Sequence, residues 1–306
     1  MMDGIINIYK ESGYTSHDVV ACLRGILKTK KIGHAGTLDP MAEGVLPVCV
    51  GNATKLCEML ADHDKEYEAV MILGKTYDTL DVTGVLQEER EVMSTNEEII
   101  VAVKSFEGGY DQVPPMYSAK KVDGKKLYDL ARSGKVVERK SVPVKIYQID
   151  ITELESPHVT MKISCGKGTY IRSLIDDIGK KLGCGAAMEK LTRTRSGEYE
   201  ISGAHKLSEI ERAMEEGRIS DVIISLESFF SALPAIRLNP ELSKLLRNGN
   251  VIRYKASDDD PEPESLRDVQ KDGNRYRMYD CDGRFAGIYE YKKAEDLLKP
   301  YKMFLN

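Results

Sequence analysis

The chain has 306 residues, enough for about two domains, and its 42% hydrophobic and 30% charged residues are typical of a folded globular protein rather than a disordered or fibrous one. Lysine and arginine total 44 against 49 acidic residues, and a net charge of −5 by itself argues against a nucleic-acid partner. No apolar run reaches about 18 residues, and the N-terminal residues lack the pattern of a signal peptide. The six cysteines show no C-x-x-C spacing. We expect a cytoplasmic protein without a membrane segment or a metal site.

The first part of the chain predicts short helices and strands around a glycine-rich loop. Ser16 is a candidate N-cap, because apolar residues recur at helical spacing directly after it. Three glycines and two prolines between 33 and 47 indicate an irregular loop. Thr95 and Glu98 form a capping-box pattern that predicts a further helix. The other predicted elements are a helix over 17–29, a strand over 48–50, a helix over 54–62 and a strand over 67–73.

The second part predicts a hairpin, a helix and a small terminal module. Alternating apolar residues indicate strands over 142–154 and 159–165, and a helical period over 171–182 ends at Gly183. Strands and helices mix without strict βαβ alternation, which favours an α+β fold with a mostly antiparallel or mixed sheet flanked by helices. A boundary near residue 232 leaves a small β-rich module, in which the acidic segment 258–264 is expected to be a surface loop.

Charge is segregated along the chain. Residues 118–145 hold nine basic and three acidic side chains, and residues 162–195 hold eight and three, so the rest of the chain carries −16. Such a basic surface can bind phosphates although the whole chain is acidic. Two solvated lysine-rich faces are the alternative interpretation. The tyrosines within these stretches favour RNA, because they can stack on exposed bases; they are Tyr117, Tyr128, Tyr147 and Tyr170.

The glycine-rich loop carries the most specific motif. A lone Asp39-Pro40 pair is usually a turn or a helix cap. The longer string GHAGTLDPMAEGVLP at 33–47, followed by GNATK at 51–55, closely resembles the signature of the bacterial tRNA pseudouridine-55 synthases, the TruB family. The resemblance continues in order through 65–69, 78–81, 112–121, 168–174 and 191–197. It departs at Lys10-Glu11, where the family usually has Lys-Pro.

The resemblance implies a fold and an activity. It implies a pseudouridine-synthase sheet in a catalytic domain over 1–231, with an inserted segment at about 104–147 that we call the thumb. The stretches at 283–287 and 298–302 look like a divergent PUA-type RNA-binding domain over 232–306. The implied substrate is the T-arm stem-loop of tRNA. The implied reaction is a redox-neutral isomerisation of uridine that needs no cofactor and no metal. The resemblance also implies that the enzyme acts as a monomer, without a guide RNA or a protein partner.

The resemblance also implies roles for individual residues. Asp39 is the catalytic carboxylate, and Arg172 keeps it ionised, because a neighbouring guanidinium favours the charged form of a carboxyl group. Asp81 orients Arg172, and Tyr67 stacks on the uracil and assists loss of the C5 proton. The implied RNA and pocket residues are His34, Tyr170, Leu191 and four lysines, Lys120, Lys121, Lys125 and Lys126, which we call the thumb lysines.

Simpler interpretations of these residues stay open on sequence alone. Arg172 could be a surface or phosphate-binding arginine, Asp81 an Asx-turn residue and Tyr67 an ordinary core tyrosine. For the whole chain, the alternatives are a guide-dependent RNA-modifying subunit, an RNA-folding chaperone with a vestigial loop, and a glycosidase. A glycosidase would ordinarily need two carboxylates around the sugar bond.

Overall fold

The structure, a computed structural model, describes residues 2–118, 120–122, 124–135, 137–253 and 272–305. The acidic segment 258–264 lies outside these residues. The helices are α1 (Ser16–Ile26), α2 (Cys57–Ala61), α3 (Asn96–Lys104), α4 (Leu127–Arg132), α5 (Ile171–Leu182), α6 (Leu207–Glu215), α7 (Leu226–Phe229) and α8 (Pro240–Arg247). Short 3₁₀ turns occupy Gly51–Leu56, Ile201–Gly203 and Ile219–Asp221.

The strands follow the chain in the same way. They are β1 (Gly4–Lys10), β2 (Ile32–His34), β3 (Glu43–Val50), β4 (Lys65–Leu73), β5 (Lys75–Tyr77), β6 (Leu86–Glu89), β7 (Tyr110–Gln112), β8 (Lys121–Val122), β9 (Lys125–Lys126), β10 (Val142–Val144), β11 (Ile146–Glu155), β12 (His158–Cys165), β13 (Ala186–Ser196), β14 (Tyr199–Glu200), β15 (Ile223–Ser225), β16 (Ala235–Arg237), β17 (Arg275–Tyr279), β18 (Phe285–Lys292) and β19 (Leu297–Met303).

Within the described residues, nine strands form a central sheet in the order β11-β12-β4-β13-β3-β1-β15, with β14 on β13 and β2 on β3. Its strands pair antiparallel except β13 and β3, which pair parallel at Thr192↔Glu43 and Arg193↔Gly44. Gly44 (φ +100°) makes this approach possible, because a Cβ there would lie 2.2 Å from the carbonyl oxygen of Arg193. The mixed sheet confirms the predicted α+β class.

Helices pack on the sheet through apolar faces. Ile99 and Val103 of α3 join Leu174 and Ile178 of α5 in the core over β4 and β12. A second cluster places α1 and α6 against β1 and β3. The capping box of Thr95 and Glu98 begins α3 as predicted, and Gly183 (φ +79°) ends α5 as predicted, since a left-handed residue closes a helix without steric cost when it is glycine.

Several element boundaries predicted from sequence are wrong. Helix α1 ends at Ile26 rather than at 29, and its N-cap is Thr15, which forms a capping box with Asp18. The loop predicted over 33–47 shrinks to 35–42, because β2 reaches His34 and β3 begins at Glu43. The helix predicted over 54–62 is a 3₁₀ turn followed by the five residues of α2. The glycines and prolines of 33–47 predicted a loop, but at both ends of this segment the backbone pairs with neighbouring strands and is therefore part of β2 or β3.

The thumb leaves the body after α3 and returns at β11. At its root, β7 and β10 pair antiparallel. Farther out, β8 and β9 form a two-stranded ladder with the register Lys121↔Lys126 and Val122↔Lys125, and α4 follows. The predicted strand over 142–154 is therefore two strands, one in the thumb root and one in the central sheet.

The last part of the chain forms a separate four-stranded sheet in the order β16-β17-β18-β19. It contacts the body through Phe304, whose ring lies 5.8 Å from that of Phe230 and, within the module, 5.8 Å from that of Phe285 in β18. Two lysines join the same junction: Lys55 Nζ donates to Met303 O at 2.7 Å, and Lys302 Nζ donates to Lys55 O at 2.6 Å. None of the described helices is both long enough and apolar enough to cross a membrane.

Candidate active site

The loop 35–42 presents Asp39 at the parallel junction of β3 and β13, and it is held on both sides of that residue. Leu38 N donates to Ser16 Oγ at 2.9 Å, and Lys10 Nζ donates to Pro40 O at 3.0 Å. Because Thr15 caps α1, the hydroxyl of Ser16 is free to hold the loop instead. Burial lowers the pKa of Lys10 to about 8.

Asp39 pairs with Arg172 through both carboxylate oxygens. Arg172 Nε donates to Asp39 Oδ2 at 2.8 Å and Nη2 donates to Oδ1 at 3.1 Å, a bidentate geometry that fixes the plane of the carboxylate. The Arg172 side chain is 5% exposed and that of Asp39 is 38% exposed. The carboxylate is therefore oriented by a buried group and remains reachable from solvent, as a group that acts on a substrate must be.

Arg172 is itself held by backbone carbonyls. Its Nη1 donates to Thr79 O at 2.8 Å, and its Nη2 also donates to Tyr117 O at 2.7 Å. Asp81 Oδ2 lies 3.8 Å from Arg172 Nε, while Asp81 Oδ1 accepts from Thr83 N at 3.0 Å. Asp81 thus forms the Asx turn of the simpler interpretation and also adds a second negative charge beside the guanidinium.

A cavity of about 260 Å³ opens beside Asp39 and Arg172, and Tyr67, Tyr170 and Leu191 line it. Tyr67 is 8% exposed and Leu191 7% exposed. Burial raises the pKa of both tyrosines, so their rings are neutral at neutral pH. The structure therefore brings five of the predicted site residues into one cavity, with Asp81 behind Arg172.

His34 and the thumb lysines lie elsewhere. His34 Nδ1 is 2.6 Å from Gly36 O in the catalytic loop, and the ring is not among the residues that line the cavity. Burial lowers the pKa of His34, which favours the neutral ring. Lys120 is half-buried and Lys125 is exposed, both in the thumb. Lys121 and Lys126 supply the paired backbones of β8 and β9.

Two cavity cations were missed by the sequence analysis. Arg193, on β13, is 1% exposed and Lys65, on β4, is 7% exposed, and both line the cavity. Burial lowers the pKa of Lys65 to about 8, and the charge of Arg193 adds to this shift. A signal was available: Lys65 is two residues from Tyr67 and Arg193 two residues from Leu191, so each shares a strand face with a predicted pocket residue.

Gln112 is a further residue that only the structure reveals. It is fully buried at the thumb root, where its side-chain amide pairs with the backbone of Tyr170: Nε2 donates to Tyr170 O at 3.1 Å, and Oε1 accepts from Tyr170 N at 2.8 Å. Gln112 Nε2 also donates to Tyr110 Oη at 2.7 Å. Since Tyr170 precedes Arg172 at the start of α5, Gln112 connects the thumb root to the site.

The site combines one oriented carboxylate with aromatic and cationic side chains. The carboxylate of Asp39 lines a cavity whose wall also contains Tyr67, Tyr170 and the buried cations Lys65 and Arg193. In the part of the chain that is described, no cluster of three or more His, Cys, Asp or Glu side chains could hold a metal ion. An Asp–Arg pair beside a tyrosine-lined cavity on this mixed sheet is consistent with the pseudouridine synthase class that the sequence motifs indicated.

Comparison with known families places the chain more closely. Residues 24–171 match the model of the TruB family pseudouridylate synthase N-terminal domain, and residues 172–231 match the tRNA pseudouridylate synthase B C-terminal domain. The chain belongs to the TruB family of pseudouridylate synthases and is an isomerase. It is 49% identical to tRNA pseudouridine synthase B of Lachnoclostridium phytofermentans, over 99% of this chain and 100% of that protein. It is 39% identical to the Bacillus pumilus protein of the same name, over 99% of this chain and 98% of that protein.

Solved structures agree with the fold. A chain in a Cbf5–Nop10–Gar1 complex matches with a TM-score of 0.68 and 27% identity, covering 99% of this chain and 85% of that one. A chain in an H/ACA RNP bound to a substrate RNA containing 2′-deoxyuridine matches with a TM-score of 0.67 and 26% identity, with the same coverage.

Proposed function

We propose that this enzyme converts uridine 55 in the T-arm loop of tRNA to pseudouridine, as a cytoplasmic monomer that needs neither a guide RNA nor a protein partner. The observation that carries the proposal is the bidentate pair of Asp39 and Arg172 in a cavity also lined by Tyr67, Tyr170 and Leu191. The names of the relatives, which are tRNA pseudouridine synthases over nearly their whole length, support tRNA as the substrate.

The reaction breaks the C1′–N1 bond, turns the uracil and forms a C1′–C5 bond. C5 loses its proton and N1 gains one, so nothing is oxidised or transferred. Asp39 is the group placed to act at the sugar or at the base. Three first steps are compatible with its position: attack on the ribose, addition to the base, and removal of a sugar proton. Each requires the ionised carboxylate that Arg172 orients.

Tyr67 and its neighbours receive the base. A planar uracil between aromatic walls gains stacking energy of about 1 to 3 kcal/mol. Because burial raises the pKa of Tyr67, its hydroxyl is protonated at neutral pH, and it accepts the C5 proton only after passing on its own. We therefore assign Tyr67 stacking as its main role and assistance at C5 as a second one. Tyr170 and Leu191 complete the wall of the cavity.

A uridine that stays stacked inside a folded tRNA loop cannot enter a cavity lined by buried side chains such as Tyr67 and Leu191. We propose that the enzyme extrudes the nucleotide, at a cost of a few kcal/mol that pocket contacts recover. His34, held against Gly36 O in the catalytic loop, supports the extruded nucleotide. The thumb, over about 104–147, closes on the T-arm through its lysines, and Asp81 keeps Arg172 in place from behind.

We further propose that the catalytic domain spans residues 1–231 and a PUA-like RNA-binding domain spans 232–306. The chain reaches the separate four-stranded sheet directly after α7. The contact between Phe304 and Phe230 holds this sheet against the body, so that both units can contact one tRNA.

A guide-dependent subunit is the alternative with structural support, because the similar solved chains come from an H/ACA RNP and from a complex with Nop10 and Gar1. The thumb and the similarity to tRNA pseudouridine synthase B proteins favour action on tRNA alone. Purified protein incubated with an unmodified T-arm transcript, followed by mapping of pseudouridine at single-nucleotide resolution, distinguishes the two. Pseudouridine at position 55 without any added RNA supports the proposal, and its absence contradicts it.

The same assay tests Asp39. We expect Asp39→Asn to abolish pseudouridine formation while tRNA affinity stays within about tenfold, because phosphate contacts supply most of the binding and asparagine is nearly isosteric with aspartate. Substantial activity in Asp39→Asn would remove Asp39 from its catalytic role. Tight binding by an inactive wild type would favour an RNA chaperone, and free uracil as the product would favour a glycosidase.

A further inference from the structure

Arg193 lies opposite Tyr67 in the sheet. The register of β13 and β4 pairs Arg193 with Tyr67 and Leu191 with Ala69. Directly opposite residues project from the same face with their Cβ atoms about 4.5 to 5.5 Å apart. The charge of Arg193 is close enough to oppose the burial-driven rise in the pKa of Tyr67. The guanidinium therefore stands next to the ring that is placed to stack on the uracil.

The hydrogen bonds of Arg193 leave one nitrogen free. Nε donates to Val45 O at 2.7 Å, and Nη1 lies 3.4 Å from Thr37 O. Nη2 is buried and makes no hydrogen bond of normal geometry, and the guanidinium approaches Tyr67 closely enough to oppose the rise that burial causes in the pKa of that tyrosine. A buried donor without a partner typically costs about 1 to 3 kcal/mol, and more when it is charged. An occupant of the cavity that accepts a hydrogen bond from Nη2 would remove this cost.

The charges around the cavity indicate what this occupant offers. Asp39 is paired with Arg172, whereas no described carboxylate forms an ion pair with Arg193. Lys65, the other buried cation of the cavity, donates to the backbone carbonyls of Ala61 and His63. The cavity with Arg193 and Lys65 in its wall thus has an excess of positive charge. Such a site favours an occupant that accepts hydrogen bonds and develops negative charge.

We propose that Arg193 stabilises the negative charge of the uracil as it leaves the ribose, by donating a hydrogen bond from Nη2 to a carbonyl oxygen of the base. This inference rests on the proposed pseudouridine synthase activity. When the C1′–N1 bond breaks, its electron pair leaves with the base, and the charge spreads over N1, O2 and O4. When C1′–C5 forms, the C5 proton is lost and N1 is protonated, so Arg193 exchanges no proton.

The base, rather than a phosphate, is the group that Arg193 meets. Arg193 lines the cavity and lies opposite Tyr67 in the sheet, whereas the phosphates of an extruded nucleotide belong to the RNA backbone at the surface. A donor that is already in place and shielded from water is worth most against charge that develops during the reaction. Loss of Arg193 should therefore slow bond cleavage and leave RNA binding nearly unchanged.

The test compares two leaving groups in single-turnover reactions. T-arm RNA carries uridine or 5-fluorouridine at the target position, and loss of the starting nucleoside is followed. Fluorine withdraws electrons and stabilises the uracil anion by itself. We expect Arg193→Gln to slow the uridine reaction by about 100-fold, as removal of one oxyanion donor does. The deficit with 5-fluorouridine should be less than about tenfold, because less stabilisation is then required of the protein.

Matched variants separate chemistry from structure. Arg195→Gln removes an arginine from the same strand, where it pairs with Glu66 at 2.6 Å and does not line the cavity, and it should stay within about threefold of the wild type. Arg193→Lys retains a cation without the planar fork and should show an intermediate loss with the same dependence on the leaving group. Thermal melts will show whether Arg193→Gln folds. If it does not, the Arg193→Lys variant still allows the comparison of the two substrates.

Equal deficits on the two substrates would overturn the inference and leave Arg193 a structural residue. Weaker RNA binding with a normal rate at saturation would also overturn it, and would indicate a phosphate contact instead. Wild-type protein that makes no pseudouridine would overturn the proposed function together with this inference. An active wild type with equal deficits would overturn the inference alone.

Discussion

Replacement of Arg172 by lysine removes geometry while it retains charge. In the wild type the guanidinium makes directional bonds to both oxygens of Asp39, at 2.8 and 3.1 Å, and to the carbonyls of Thr79 and Tyr117, at 2.8 and 2.7 Å. These partners surround a planar fork. A single ammonium group on a flexible stem cannot reach the carboxylate and both carbonyls together.

The magnitude follows from the bonds that are lost. A hydrogen bond to a charged group contributes about 1.5 to 3 kcal/mol, and at least two of the four are lost, so about 3 to 6 kcal/mol is at stake. Part of this free energy is lost from the stability of the folded protein and part from the stabilisation of the transition state. If half of it falls on the transition state, the rate decreases by about 10-fold to 150-fold, since about 1.4 kcal/mol corresponds to a factor of ten. The large apolar core should keep the variant folded.

The assay is a single-turnover measurement of pseudouridine formation in T-arm RNA, with circular dichroism and urea unfolding to confirm the fold. Arg218→Lys is the control, because Arg218 is exposed and forms surface ion pairs with Glu216 and Asp221. It should react at the wild-type rate. A folded Arg172→Lys with a rate within about threefold of the wild type would refute the argument that the bidentate geometry orients Asp39.

Three further predictions concern the surroundings of the site. Replacing all four thumb lysines by alanine should weaken tRNA binding and flatten its salt dependence by about 0.7 to 0.9 in log K per log salt for each lost phosphate contact, and an unchanged slope would identify a merely solvated face. Gln112→Met should reduce the free energy of unfolding by about 2 to 4 kcal/mol in urea titrations, because the backbone of Tyr170 loses buried partners; a loss below 1 kcal/mol would contradict this. Burial lowers the pKa of Lys10 from 10.5 to about 8, so the folded chain releases this proton before the unfolded chain does. The free energy of unfolding of the wild type, relative to Lys10→Met, should therefore rise between about pH 8 and 10.5, by at most about 1.4 kcal/mol per pH unit, and a flat difference would count against it.

Local patterns in the sequence were sufficient where a structure depends on neighbours in the chain. The capping box of Thr95 and Glu98 and the glycine that closes α5 at Gly183 lie within a few residues of what they terminate. The motif around Asp39 indicated the family, and the family implied the fold. Ser16 shows the limit of such patterns, because Thr15 and Ser16 are both good caps, and the choice between them depends on the partner that Ser16 finds in the loop at Leu38.

The amino-acid sequence by itself determined the fold class, the family and the identities of Asp39, Tyr67 and Arg172 as candidates, because these rest on short motifs and on the period of apolar residues. Only the tertiary structure decided how the candidates meet. Arg172 reaches Asp39 across 133 residues of chain, and Arg193 reaches Val45 across 148. Contacts of this length depend on strand order and register, which bring β13 between β4 and β3. The sequence could not show that Arg193 Nη2 lacks a hydrogen bond of normal geometry, because this depends on where the surrounding residues lie in the folded chain.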